Sequence, residues 1–215
     1  MSMLPVLDCN GTCSKYRANA SAQPQDALQI LGDYGLNTVR LRLFGPDTFA
    51  NNSYCALPGV LAMARRAKAA GLAITLDIFY TQWFFGSDSD YLQRRTPVRW
   101  HNLSFDQLVV AAANYTRSAI AAMVDQGTPP ASVQIGNEIQ CGIFHPWEGE
   151  TCSRGAEVCP NCEENWDNLA RVITAASKAA KSVIPDIEVL IQFAASRNVR
   201  AVELETPTPT LTFMQ

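Results

Sequence analysis

The chain has 215 residues, of which 47% are hydrophobic and 17% charged, the ordinary mixture of a single globular domain. Its net charge is −3 and it contains no basic run, which argues against nucleic acid or an anionic membrane as a partner. No apolar stretch reaches the roughly 18 residues that a membrane-spanning helix needs.

Helices and strands are predicted to alternate along the chain. Apolar residues recur at helical spacing over 24–34, 57–70, 104–126 and 164–183. Short apolar runs predict strands over 37–44, 72–80, 131–138 and 187–193, and residues 4–7 are a candidate for one more. This order indicates a parallel sheet with crossover helices, the arrangement of an α/β fold.

The predicted fold is a (β/α)8 TIM barrel that is incomplete. A full barrel needs about 250 residues, and the pattern here supports about five of its eight βα units. We assign residues 1–193 to this partial barrel. Residues 194–215 lack the alternation and include Thr206-Pro-Thr-Pro-Thr210, so they are predicted to be an irregular tail that need not be native barrel sequence.

Two arginines share one face of the strand at 37–44. Arg40 and Arg42 alternate there with Val39, Leu41 and Leu43. An antiparallel strand with a solvated face would accommodate them without any function. The helix–glycine–strand context favours a parallel barrel strand instead, in which at least one arginine lies at the barrel mouth and binds a carboxylate.

Polar side chains also lie near the carboxyl ends of the next two strands. Asp77 lies in the strand at 72–80, and Gln134, Asn137 and Glu138 follow in the strand after it. The carboxyl ends of parallel strands meet at one edge, where barrel enzymes hold their active sites. A carboxylic acid beside aromatic residues suits cleavage of a glycosidic bond. A surface turn with no catalytic role is the alternative for Glu138.

The long loop at 81–100 is rich in aromatic residues. These are Trp83, Phe84, Phe85, Tyr91 and Trp100. A loop of that length in a compact domain is usually functional, and exposed rings would stack on the apolar faces of sugars. Packing of the loop against itself is the alternative.

The seven cysteines and several sequons favour an oxidising compartment. Cys159-Pro-Asn-Cys162 has zinc-ligand spacing, but a second such pair is missing, so disulfides are favoured over zinc. Asn-x-Ser/Thr sequons fall at Asn10, Asn19, Asn51, Asn102 and Asn114. Together they predict a secreted glycoprotein. Residues 1–8 do not form a signal peptide, so we expect a signal that was removed or an incomplete N-terminus.

Three stretches carry motifs of a known family. They are Asn37-Thr-Val-Arg-Leu-Arg-Leu-Phe44, Ala67-Lys-Ala-Ala-Gly-Leu-Ala-Ile-Thr-Leu-Asp77 and Val133-Gln-Ile-Gly-Asn-Glu-Ile-Gln-Cys-Gly142. In this order they resemble the first half of glycoside hydrolase family 53, the arabinogalactan endo-β-1,4-galactanases of clan A. The resemblance covers residues 26–193.

The resemblance implies a (β/α)8 barrel and retaining hydrolysis of β-1,4-galactan without a cofactor or metal. It implies that Glu138 is the acid/base and that Asn137 binds the sugar hydroxyl next to the cleaved bond. Arg42, with Arg40 close behind it, is predicted to orient the nucleophile.

Further contacts to the polysaccharide follow from the same resemblance. Trp83 and Trp147 match aromatic positions that line the substrate cleft of the family, and Asp77 is predicted to bind substrate with them. We expect a monomer whose partner is galactan or arabinogalactan.

The chain departs from the family in two places. The His-Tyr-Ser-Asp type segment of the family is here Phe79-Tyr-Thr-Gln82, which predicts altered binding near the cleaved bond. The nucleophile belongs on a later strand, which neither Glu203 nor Glu205 matches. Retaining hydrolysis needs a second carboxylate about 5 Å from the first, so residues 1–215 alone are expected to be inactive. The alternatives are another clan A β-glycanase, such as a mannanase or glucanase, and a sugar-binding protein without catalysis.

Overall fold

The computed structural model describes residue 16 and the ranges 25–46, 54–81, 95–146, 155–157 and 165–193. The candidate strand at 4–7, Trp83, Trp147 and the predicted tail at 194–215 lie outside these residues. The predictions made for them, and the domain boundary at residue 193, therefore stay predictions.

Within these ranges the chain forms four helices and two sheets. The helices are α1 (Ala27–Asp33), α2 (Leu57–Ala69), α3 (Phe105–Asp125) and α4 (Trp166–Lys181). The strands are β1 (Thr38–Leu43), β2 (Ala73–Ile78), β3 (Ser132–Ile135), β4 (Gly142–Ile143), β5 (Ala156–Glu157) and β6 (Glu188–Leu190). In this part of the chain no helix is long and apolar enough to cross a bilayer.

The main sheet is parallel, with strand order β1-β2-β3-β6. Helices α2, α3 and α4 lie in the connections between its successive strands, and β4 and β5 form a separate antiparallel pair. The predicted α/β order is confirmed. Two strands are shorter than predicted: they span 132–135 rather than 131–138 and 188–190 rather than 187–193.

Short sequence signals determine where the helices begin and end. Asp26 caps α1 by accepting a 2.9 Å hydrogen bond from the backbone N–H of Leu28. Ser104 and Gln107 form a reciprocal capping box at the start of α3. Helix α2 is followed by Gly71, whose φ of 73° reverses the chain into β2.

The two faces of the main sheet differ in polarity. Leu76 and Val133 are paired across β2 and β3 and are fully buried within the apolar core. One position further along, the register aligns Arg42 with Asp77 and Asp77 with Gln134. Paired residues of parallel neighbours project to the same side of a sheet. The polar face therefore collects charged and amide side chains from three strands.

Trp100 belongs to the core. Its side chain is only 7% exposed, and its ring packs edge-on against Tyr115 and Phe144 with centroids 5.8 Å apart in both pairs. The short turn at Val98–Trp100 places it against α3. The expectation that loop aromatics are exposed for stacking on sugars is therefore wrong for Trp100.

Candidate active site

The polar face of the main sheet ends in a cluster of predicted site residues. Strand β1 contributes Arg40 and Arg42, β2 contributes Asp77, and the turn that follows β3 contributes Asn137 and Glu138. The parallel register brings these side chains to one edge of the sheet, as the sequence predicted.

The turn after β3 is built to present Asn137 and Glu138. Gly136 has a φ of 78°, and a Cβ there would lie 2.4 Å from Cγ2 of Ile139, so only glycine fits. Glu138 has a φ of 51°, a left-handed conformation that costs a non-glycine residue on the order of 1–2 kcal/mol. Gln192, just beyond β6, stabilises this turn. Its side-chain Oε1 accepts a 3.1 Å hydrogen bond from the backbone N–H of Glu138, and its backbone oxygen accepts a 3.2 Å hydrogen bond from the backbone N–H of Ile139.

Asp77 is the buried centre of the cluster, with 1% of its surface exposed. Its Oδ1 accepts a 2.7 Å hydrogen bond from Nε2 of Gln134, and its Oδ2 lies 2.8 Å from Nη2 of Arg40 in an ion pair. Burial raises the pKa of Asp77 to about 7, opposed by Arg40 and Arg42 and reinforced by Glu138. The buried centre of the cluster is therefore a carboxyl group that changes charge near neutral pH.

Arg40 connects Asp77 to Asn137. The nitrogen Nη2 that forms the ion pair also donates to Oδ1 of Asn137. The family resemblance favoured Arg42 over Arg40 for orienting the nucleophile, and here Arg40 contacts two members of the cluster. Which of the two orients a nucleophile stays a prediction.

Arg42 lies against two aromatic rings. Its Cζ is 4.7 Å from the ring centroid of Phe79 and 5.8 Å from that of Phe44, and the rings meet edge-to-face at 5.3 Å. A guanidinium over an aromatic face is attracted by the ring quadrupole. Phe79, where the family resemblance implied a histidine, is 5% exposed. The buried Phe79 ring therefore packs against the guanidinium of Arg42.

The two cysteines among the described residues differ in chemistry. Cys55 packs with Phe44 and Phe79 as a free thiol, and burial raises its pKa to about 11. Cys141, shortly after Glu138, is disulfide-bonded.

Some predicted residues and contacts remain to be placed. Trp83 and Trp147 lie outside the described ranges, and the substrate contacts predicted for Asp77 and Asn137 stay predictions. Gln192 was missed, although its position near the end of the strand predicted at 187–193 was a usable signal. Over the ranges described, no group of three or more His, Cys, Asp or Glu side chains could hold a metal ion.

Fold and site together define a (β/α)-barrel protein with an Asn-Glu pair at the carboxyl end of a strand. The family model described as glycosyl hydrolase family 53 matches residues 1–206. The chain belongs to glycosyl hydrolase family 53, as its three motifs predicted.

Individual relatives agree with this assignment. The chain is 33% identical over 188 residues to the arabinogalactan endo-β-1,4-galactanase of Thermothelomyces thermophilus, covering 86% of this chain and 50% of that protein. The GH53 catalytic domain of Ignisphaera aggregans superposes with a TM-score of 0.67 at 30% identity, covering 84% of this chain and 46% of that one. A fungal β-1,4-galactanase superposes with a TM-score of 0.68 at 25% identity, covering 83% of this chain and 48% of that one. The chain spans about half the length of these relatives. The prediction of a partial α/β barrel is confirmed.

Proposed function

We propose that the protein is a glycoside hydrolase that cleaves β-1,4-galactan, as in arabinogalactan, at internal bonds by a retaining mechanism. Membership of family 53 supports the proposal, as does similarity to proteins named arabinogalactan endo-β-1,4-galactanase. The observation that carries it is the Asn137–Glu138 pair, which follows β3 in a left-handed turn anchored by Gln192.

Glu138 is proposed to be the acid/base. As a carboxylic acid it gives its proton to the glycosidic oxygen while the bond breaks, and as a carboxylate it later takes a proton from the attacking water. Asn137 is proposed to bind the sugar hydroxyl beside that bond. An arginine of β1, Arg42 or Arg40, is proposed to orient the nucleophile.

A retaining reaction also needs a second carboxylate about 5 Å from the first. The charge of Glu138 helps to raise the pKa of Asp77, but Asp77 is 1% exposed and ion-paired with Arg40, which makes it unsuitable as a nucleophile. We propose that the nucleophile comes from the part of the barrel that the relatives possess and this chain does not span. Residues 1–215 by themselves are then expected to bind galacto-oligosaccharides without cleaving them.

Two features of the described residues support a secreted protein. Cys141 is disulfide-bonded, and the sequon residues Asn102 and Asn114 are exposed. We therefore propose a secreted, glycosylated and monomeric protein. Trp83 and Trp147 are proposed to stack on the sugar rings of its polysaccharide.

Reducing-sugar release from β-1,4-galactan, arabinogalactan, β-mannan and β-glucan tests the proposed activity. The longest protein that the gene encodes should cleave galactan, and Glu138→Gln should lower kcat at least about a hundredfold, since general acid–base catalysis contributes about 10²–10⁴-fold. Glu188→Gln is the matched control, because Glu188 is an exposed carboxylate at the start of β6. It should retain wild-type turnover.

Other outcomes of the same assay would contradict specific parts of the proposal. Preferred cleavage of mannan or glucan would indicate another β-glycanase. Binding without cleavage by the longest protein would indicate a sugar-binding protein. Galactan turnover by residues 1–215 that is abolished in Glu138→Gln would refute the proposal that the nucleophile comes from a part of the barrel that this chain does not span.

A further inference from the structure

We infer that Asp77 is a positioning residue that acts through Arg40 to fix the orientation of the Asn137 amide. The inference rests on the proposed function, in which Asn137 binds a sugar hydroxyl. It adds a chain of contacts that runs from the buried sheet to the candidate site and determines what Asn137 offers a ligand.

The contact with Arg40 determines which end of the Asn137 side-chain amide faces the protein and which end is left for a ligand. Its Nη2 contacts Oδ1 of Asn137, and a guanidinium carries donors only. The contacted atom must therefore be the carbonyl oxygen, so the amino group Nδ2 is turned away from Arg40. With its acceptor occupied in this way, Asn137 offers a donor to a ligand, which suits the oxygen of a sugar hydroxyl.

Asp77 determines where Arg40 lies. The Arg40 side chain is long and 42% exposed, so without a fixed partner it would sample several rotamers. Asp77 is buried, and Gln134 holds its carboxyl group from the other side. Nε2 of Gln134 donates at 2.7 Å both to Asp77 Oδ1 and to the backbone oxygen of Gly136. The same amide thus ties Asp77 to the start of the turn that carries Asn137.

The hold on Arg40 depends on the charge of Asp77. The titratable groups whose charges interact with Asp77 are Arg40, Arg42, Cys55, Tyr80 and Glu138. Because burial raises the pKa of Asp77 to about 7, its carboxylate becomes neutral as the pH falls through that value. The ion pair with Arg40 should weaken over the same interval, and the Asn137 amide should loosen with it.

The side-chain amide resonance of Asn137 tests this inference in the unliganded 215-residue chain. At about pH 8, ¹⁵N relaxation should show an ordered Nδ2 group in the wild type and a mobile one in Asp77→Asn, whose amide cannot form the ion pair. Arg40→Lys changes an exposed residue, and it also should loosen the amide, because an ammonium lacks the guanidinium fork. If Asp77→Asn does not fold, the Arg40→Lys variant tests the inference in its place. Asp106→Asn is the matched control, since it removes an exposed ion pair with Arg171.

Each outcome decides the inference. A mobile Asn137 amide in both test variants, an ordered one in the control, and a wild-type resonance that shifts with pH near 7 would support it. Equal order in the wild type and the folded test variants would overturn it. Loss of order in the control as well would overturn it too, because the effect would then not be specific to Asp77.

Binding of β-1,4-galactotetraose separates this inference from the proposed function. Asp77→Asn should weaken binding about fivefold in the wild-type background, the equivalent of one hydrogen bond, and less than about twofold in an Asn137→Ala background. Equal losses in the two backgrounds would show that Asp77 does not act through Asn137. If the tetrasaccharide does not bind at all, the proposed function fails, whereas the amide measurement still decides the role of Asp77.

Discussion

One buried carboxyl group, Asp77, is predicted to make the stability of the fold fall as the pH rises from about 4 to about 7. Burial raises its pKa from 3.8 to about 7, so over this interval the folded protein holds a proton that the unfolded chain releases. The stabilisation from that proton is fully present below the unfolded pKa and is lost as the pH rises through the folded pKa. The difference of about 3 units corresponds to about 4 kcal/mol.

Urea denaturation followed by tryptophan fluorescence between about pH 4 and pH 8 measures this effect. Asp77→Asn keeps the shape of the neutral carboxyl group and cannot lose a proton. Its free energy of unfolding should therefore rise relative to that of the wild type by about 4 kcal/mol across the interval. Asp106→Asn, at a position with a 79% exposed side chain, should follow the wild type. The same pH dependence of the unfolding free energy in the wild type and in Asp77→Asn would refute the cost of about 4 kcal/mol assigned to burying the Asp77 carboxylate.

Two further predictions concern packing around the site. Gly136→Ala should cost about 2–4 kcal/mol of unfolding free energy, because a positive φ and a methyl group 2.4 Å from Cγ2 of Ile139 both oppose it. Gly71→Ala, with a φ of 73° and nothing within 4 Å, should cost only about 1–2 kcal/mol, and equal losses in thermal denaturation would contradict the steric argument. Cys55 should resist alkylation at about pH 8 until the protein unfolds, because burial raises its pKa to about 11. Peptide mapping of the labelled thiols checks this, and rapid native labelling of Cys55 would be inconsistent with its burial.

Much of the main sheet could be predicted because its signals are local. Helix α3 begins at the Ser104–Gln107 capping box, and β2 is a mostly apolar run in which every residue after Ala73 is buried. The strands β4 and β5 were not predicted, because two residues each are too few for a periodic pattern. Their pairing depends on contacts between segments distant in the sequence.

The members of the candidate site could be predicted, but their contacts could not. Arg40 and Arg42 share one face of β1, and the sequence does not show that Arg40 forms an ion pair with Asp77 or that Arg42 lies against Phe79. These contacts depend on how far each side chain extends across the sheet. The role of Gln192 depends on β6 lying beside β3, a consequence of the crossover connection.

The proposed acid/base half of the site is assembled by residues of this chain. Arg40 holds the Asn137 side chain from the direction of β1, and Gln192 holds the Glu138 backbone from the direction of β6. Each of these contacts involves residues of the main sheet or of the segments that directly follow its strands. The arrangement that the proposed function assigns to sugar binding and to protonation of the glycosidic oxygen is therefore expected to form without the second carboxylate. It follows that binding and hydrolysis should be separable, with binding set by this half of the barrel and cleavage by both halves.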